Sequence, residues 1–230
     1  MTHAEVKDIE STSLSPFELA RALWKIGAVV YSEKTRLTWS SGLQVPFYCD
    51  NRVTNGHPVL RRRITNSLVS ILASHGIEPD IVVGVATAGI PQAALLADRL
   101  GIPLAYVRGN PKGHGRGRQV EGAIVEGQRA VVVEDLVATG GSVLHAVDAL
   151  RASTGAEVVA MLALFTYGFD GVADRFAQAD IPFHTITDFD AIATVGAKDR
   201  ILSDEEAAAL WAWYMDPQGW SGRLPSTSAE

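Results

Sequence analysis

The chain is poor in several things, and each shortage removes a class of function. It has one cysteine, Cys49, so no internal disulfide framework is possible, and a reducing compartment such as the cytosol suits it. Nothing beside Cys49 supplies a base, so a packed thiol is expected there rather than a nucleophile. No apolar run approaches the ~20 residues needed to span a bilayer. The opening residues, MTHAEVKDIESTS, are polar and acidic, unlike a signal peptide or a mitochondrial presequence. There is no excess of positive charge: the formal net charge is −6, which argues against nucleic acid as a partner. Internal repeats and low-complexity tracts are also missing. What remains is a chain of 230 residues that is 47% hydrophobic, enough for one α/β domain with a small appendage.

Residues 1–13 read as disordered. Ser15-Pro16-Phe17-Glu18 is a capping box that opens a helix to about Ile26. From Ala28 to Arg52 short alternating runs turn around Ser41-Gly42, as antiparallel strands do. Pro58 to His75 reads as a helix stopped by Gly76. From Asp80 the rhythm is strand, helix, strand, helix. Strands are expected at 81–85, 104–108, 130–133, 158–164 and 182–185, and helices near 90–100, 143–152 and 169–179. That alternation predicts an open, mainly parallel five-stranded sheet covered on both faces. Two more helices follow, one after Thr187-Asp188 and one capped by Ser203 and Glu206. Three parts are expected: a tail, helix and small subdomain over 1–57, a core over 58–217 and a loose tail over 218–230.

Sheets of this kind bind ligands beyond the carboxyl ends of their strands. Three segments leave those ends with chemistry to offer. In AVVVEDLVATGGS (130–142) a buried strand ends in two acids and a short loop then enters a helix. Gly140 and Gly141 let the backbone approach a ligand, and the helix N-terminus favours an anion such as a phosphate monoester. Glu134 and Asp135 can accept hydrogen bonds from sugar hydroxyls. An anion site and a diol site about one sugar apart describe a cradle for ribose 5-phosphate. The second segment, Ala86 to Pro91, places small residues and Gly89 before a helix, a second backbone anion site. The third, Arg108 to Arg118, packs four glycines, four cations and His114 into eleven residues of an otherwise acidic chain. Such a loop suits closure over a polyanion.

The first segment resembles the 5-phosphoribosyl 1-pyrophosphate (PRPP) motif of type I phosphoribosyltransferases: apolar residues, two acids, a variable stretch, then Thr-Gly-Gly. The variable stretch here is Leu136, Val137 and Ala138. YVRGNPKGHGRGRQVEG (106–122) resembles the mobile catalytic loop of orotate phosphoribosyltransferases, with Arg108, Lys112, His114, Glu121 and Gly122 in the family's places. LTWSSGLQVPFYCDNR (37–52) resembles that family's base-binding hood, a Ser-Gly turn followed by Pro-aromatic-Tyr-X-Asp-X-Arg. FTYGFD and the late Trp213, Asp216-Pro217 and Trp220 agree less specifically. The likeness spans roughly residues 15–217.

The resemblance implies a type I phosphoribosyltransferase fold and transfer of a phosphoribosyl group from PRPP to orotate. It implies Thr139, Gly140, Gly141 and Ser142 on the 5-phosphate, with Leu136 to Ala138 completing the substrate loop. Glu134 and Asp135 would hold the ribose hydroxyls and stabilise positive charge developing on the sugar. Thr87 and Ala88 would hold pyrophosphate, in a loop where the family often carries a strained peptide bond. Arg108, Lys112 and His114 would neutralise that leaving group, Lys112 and His114 counting with the acid pair as catalytic. It also implies Mg²⁺ arriving with PRPP, no dedicated metal cage in the protein, and a homodimer whose loop 108–118 serves the neighbouring site. No nucleic-acid or membrane partner is implied.

The chain departs from the family at Gly109, Ser40 and Thr87-Ala88, where many relatives carry cations or Tyr-Lys. It also departs at Ala138, which lacks a hydroxyl used on orotate, and near Tyr167, where some relatives have a carboxylate-gripping arginine. Arg52, with Tyr48 beside it, is the expected carboxylate partner instead. A transferase for another nucleobase and a PRPP-binding regulator without turnover are the competing readings. Lys112 and His114 weigh against the regulator, which has no use for them.

Overall fold

The structure, a computed structural model, describes residues 12–32, 37–38, 44–108 and 119–222. The first helix, α1 (Pro16–Lys25), begins with the expected capping box: Ser15 accepts from the Glu18 N–H while the Glu18 carboxylate takes the Ser15 N–H. The chain is already tied down one turn earlier. The Leu14 N–H donates to Ser67 Oγ at 2.7 Å and Arg63 reaches the Ser13 carbonyl. Ser13, within the stretch expected to be disordered, is therefore held by the fold, and residues 1–11 lie outside the described part.

Short strands follow as two antiparallel pairs, β1 (Val29–Tyr31) with β4 (Phe47–Cys49) and β2 (Leu37–Thr38) with β3 (Gln44–Val45). A 3₁₀ turn, Asn51–Gly56, then leads into α2 (Pro58–Ser74). The sequence reading contained no such turn, because its six residues carry no apolar periodicity.

The main sheet comprises β5 (Ile81–Val85), β6 (Leu104–Val107), β7 (Val120–Glu121), β8 (Arg129–Val137), β9 (Glu157–Thr166) and β10 (Phe183–Asp188). Their order is β10-β9-β8-β5-β6-β7. Five strands run parallel, and β7 adds a short antiparallel edge by pairing with β6. The helices between them are α3 (Gly89–Leu100), α4 (Gly141–Thr154) and α5 (Val172–Gln178), followed by α6 (Phe189–Lys198) and α7 (Asp204–Met215). Val131 and Val133 face one core with α1, α2, α3, α6 and α7, while Ala130 and Val132 face the other with α4 and α5. A strand buried on both sides has no polar face to show, hence the unbroken valine run.

An aromatic cluster fastens the N-terminal strands to this sheet. Phe47, fully buried, meets Tyr167 and Phe189 edge-on at 5.8 and 5.6 Å and lies 6.1 Å from Trp213. Residues 218–222, expected in a loose tail, instead complete a short helix α8 (Pro217–Gly222). Asp216 accepts from the Gly219 N–H at 2.9 Å, and Trp220 packs on the core, which anchors the segment. Residues 223–230 lie outside the described part. Among the described residues no helix is long and apolar enough to cross a membrane.

Candidate active site

The acid pair is part of a strand. Pairing of β8 with β5 stops at Val133 opposite Gly84, but pairing with β9 continues to Val137 opposite Thr166. Glu134 and Asp135 thus lie within β8, which runs on to Val137, past the strand end expected at Val133. β8 reaches Val137 because β9 is long enough to pair with it. Its β5-side edge is open there, since β5 has already turned away. Glu134 is buried, and its Oε1 accepts the Asp135 N–H at 3.0 Å. Burial, and next the charge of Asp135, push the Glu134 carboxyl well above the usual carboxylate range. Burial also raises Asp135.

Two backbone loops flank the pair. On one side the Ala86–Thr87 peptide is cis, and α3 starts at Gly89 with no side-chain cap. A Cβ on Gly89 would run into the Val133 carbonyl and lie 3.0 Å from Glu134 Cα. Glycine therefore lets the open end of α3 sit directly on the acid strand, and its backbone also bonds the Glu134 carboxyl. On the other side Gly140, at φ 80°, caps α4, again without a side-chain cap. A Cβ there would press on the Phe176 ring at 3.2 Å, besides the unfavourable φ. The first-turn amides of both helices have no intrahelical acceptor, a setting that favours a bound anion. Arg175 on α5 donates to the Thr139 carbonyl at 3.1 Å and steadies the second loop from outside. Thr139, Gly141 and Ser142 are exposed, as are Thr87 and half of Ala88.

Arg108 follows β6 and stands at the root of the cationic loop, beside the first anion loop: the Ala86 N–H donates to the Val107 carbonyl at 2.8 Å. The root is closed by Arg108 N–H to the Gln119 carbonyl at 2.8 Å and by an Arg108–Glu121 ion pair at 3.3 Å. Lys112 and His114 lie outside the described residues.

The hood strands bring Tyr48 and Arg52 to the same end of the sheet. Both feel the charge of Asp135. Arg52 is not a free cation. Its guanidinium grips Asp50 through two bonds of 2.6 and 2.8 Å and touches the Tyr48 hydroxyl at 3.3 Å. Asp50 holds Arg52 charged, and Arg52 holds the Asp50 carboxyl below its ordinary range. Burial, then Asp50, raise the Tyr48 phenol. Asp50 is a site residue that sequence reasoning quoted within the hood pattern without giving it a role. Tyr167, near the place where some relatives carry an arginine, is buried and bonds the Cys49 backbone, so it braces the hood. Half-buried Leu136 and Ala138 pack against the hood-side core, and Val137 is fully buried on the other. Among the described residues no three of His, Cys, Asp or Glu converge as metal ligands.

Comparison with known proteins agrees with this geometry. The family model described as phosphoribosyl transferase domain matches residues 55–188. An orotate phosphoribosyltransferase from Oceanobacillus iheyensis is 46% identical over 193 residues, covering 84% of this chain and 95% of that protein. One from Bacillus subtilis is 41% identical over 200 residues, covering 87% and 92%. The crystal structure of the orotate phosphoribosyltransferase from Aeropyrum pernix superposes with a TM-score of 0.69 at 33% identity, over 80% of this chain and 99% of that one.

Proposed function

The chain belongs to the orotate phosphoribosyltransferases, within the phosphoribosyl transferase domain family, and from that premise we propose how its residues divide the work. The reaction moves the phosphoribosyl group of PRPP to orotate, giving orotidine 5′-monophosphate and pyrophosphate, a step of pyrimidine synthesis. The bond from C1′ to pyrophosphate breaks, its electron pair leaves with pyrophosphate, and a ring nitrogen of orotate closes on C1′. Orotate is already anionic, so little proton transfer is needed. Catalysis is then positioning and charge stabilisation.

One observation carries this reading: buried Glu134 and half-buried Asp135 sit on an open strand edge between two uncapped helix N-termini. The 5-phosphate rests on Thr139, Gly140, Gly141 and Ser142, with Leu136, Val137 and Ala138 joining that loop to the acids. The ribose hydroxyls bond Glu134 and Asp135, and the negative charge left on the pair opposes the positive charge growing on the sugar. Pyrophosphate lies along Thr87 and Ala88 at the start of α3, where Arg108, Lys112 and His114 meet it. Mg²⁺, a hard cation, would be held mainly by the phosphate oxygens of PRPP, with Glu134 and Asp135 the oxygens the protein could add, and would supply positive charge to offset that of the leaving group. The hood, within residues 1–57, closes the base site on the core formed by 58–217. The active unit is a homodimer acting in the cytosol. Loop 108–118 closes the neighbouring site; the strands that bracket it, β6 and β7, form one edge of the sheet.

The direct test is loss of orotate absorbance on adding PRPP and Mg²⁺, with uracil, hypoxanthine and adenine as competitors. Orotate should be consumed and the other bases ignored. Preference for uracil would overturn the substrate assignment and leave the PRPP site standing.

The base site yields a sharper expectation. Arg52→Ala should raise the KM for orotate much more than that for PRPP, since Arg52 is the hood's cation. Asp50 competes for that cation, so Asp50→Asn should move the orotate KM the opposite way. An unchanged orotate KM in Arg52→Ala would show that the carboxylate is held elsewhere.

A further inference from the structure

The backbone of Asp135 is held by side chains, not by the sheet. Its ladder with β5 has ended at Val133, and on the other side the register passes from Glu134 to Leu136. The Asp135 N–H goes to Glu134 Oε1, and its carbonyl accepts from Asn51 Nδ2 at 3.0 Å. Asn51 comes from the hood, 84 residues away in sequence, and is fully buried. Its amide is fixed in orientation. Oδ1 takes the Cys49 thiol at 3.5 Å, which leaves Nδ2 to donate. Burial raises the Cys49 pKa, so the sulfur stays a thiol and keeps its proton. Thr54 Oγ1 fixes the Asn51 carbonyl at 2.6 Å. Two residues before Cys49, Phe47 is locked into the aromatic cluster.

We propose that Asn51 is a positioning residue for the sugar-binding acid, through the chain Cys49 thiol, Asn51 amide, Asp135 carbonyl. The inference rests on reading Asp135 as the acid that faces the ribose. In the transfer, the base rides on the hood and the sugar on β8. The attacking nitrogen and C1′ meet only if those two bodies keep one separation. Asn51 ties the hood to the residue of β8 that lacks a strand partner, and so sets that distance. A displacement of about 1 Å is enough to cost ~10²-fold in rate.

The test pairs Asn51→Leu, similar in size but without a donor, with Thr187→Val. The latter removes an equally buried bond, to the Pro16 carbonyl at 2.9 Å, on β10 two strands across the sheet from β8. Both should lower Tm. Asn51→Leu should also lower kcat roughly ten- to hundredfold with PRPP KM changed by less than about threefold, while Thr187→Val keeps kcat. In an Asp135→Asn background Asn51→Leu should have little further effect on kcat. Cys49→Ala, which lets the amide turn, should give a smaller loss of the same kind, and it serves if Asn51→Leu fails to fold. Normal kcat in folded Asn51→Leu, or in Cys49→Ala where that serves, overturns the positioning role if Asp135→Asn is impaired. Normal kcat in Asp135→Asn overturns the reading of the acid instead.

Discussion

Asp135→Asn should fold normally and lose about 10²–10³ in turnover, the usual cost of removing one electrostatic contact that acts on the transition state. Glu134→Gln, which removes a carboxyl that already holds its proton, should lower turnover less than Asp135→Asn and should gain stability. Glu134 is buried and its carboxyl holds its proton more tightly in the fold than in the unfolded chain, where its ordinary value is 4.5. Below that value both states are protonated and the group is neutral in effect. As pH rises through 4.5 the unfolded chain ionises first, so stability falls until the folded group ionises too. Glutamine keeps the Oε1 acceptor for the Asp135 N–H and never ionises. The Tm of Glu134→Gln minus that of wild type should therefore grow with pH above this point. Carboxylates lowered by salt bridges, such as Asp50 and Asp199, slope the other way, but they do so in both proteins and cancel. Thermal melts from about pH 4 to pH 8 and turnover assays on the same samples decide it. Near-normal turnover in both acid variants would remove the pair from the sugar site. A Tm gain that shrinks as pH rises would mean Glu134 is buried as a charge.

Lys112→Ala and His114→Ala should lower kcat by a comparable factor, about 10²-fold, with a smaller effect on PRPP binding, since a closing loop contributes most once the leaving group carries charge. If each loop serves the other subunit, mixing Lys112→Ala protein with Asp135→Asn protein should restore activity. A hybrid dimer then holds one site with neither substitution and one with both. Restored activity should scale with the hybrid fraction measured by subunit exchange. A mixture that exchanges subunits yet stays inactive would place loop and acid pair of the same chain in one site.

The order of elements in the core was legible because long runs carry unambiguous periods. The valine run before Glu134 could only be a strand covered on both faces, and the spacing of strands and helices after Asp80 left few alternatives to a parallel sheet. The anion loops were legible because glycine before a helix has a direct physical consequence. Adjacent acids before Thr-Gly-Gly were legible the same way, and the proposed sugar site rests on them. These features depend on neighbours within a few residues.

What the tertiary structure decided depends on contacts across long stretches of chain. How far β8 runs is set by the length of β9, so the acids proved to be strand residues with an open edge on one side. Gly89 matters because α3 lies against Val133 and Glu134, 44 and 45 residues later in the chain. Arg52 read as the partner of the orotate carboxylate, yet Asp50, two residues before it, claims it once the 3₁₀ turn folds the two together. Cys49 and Asn51 looked like filler between Tyr48 and Arg52, since neither type signals a role at that spacing. Their part comes from burial beside a carbonyl that no strand satisfies. A sequence can state which groups a chain carries and where local structure will put them. Whether a given donor or charge is already taken is fixed by a partner brought up by folding.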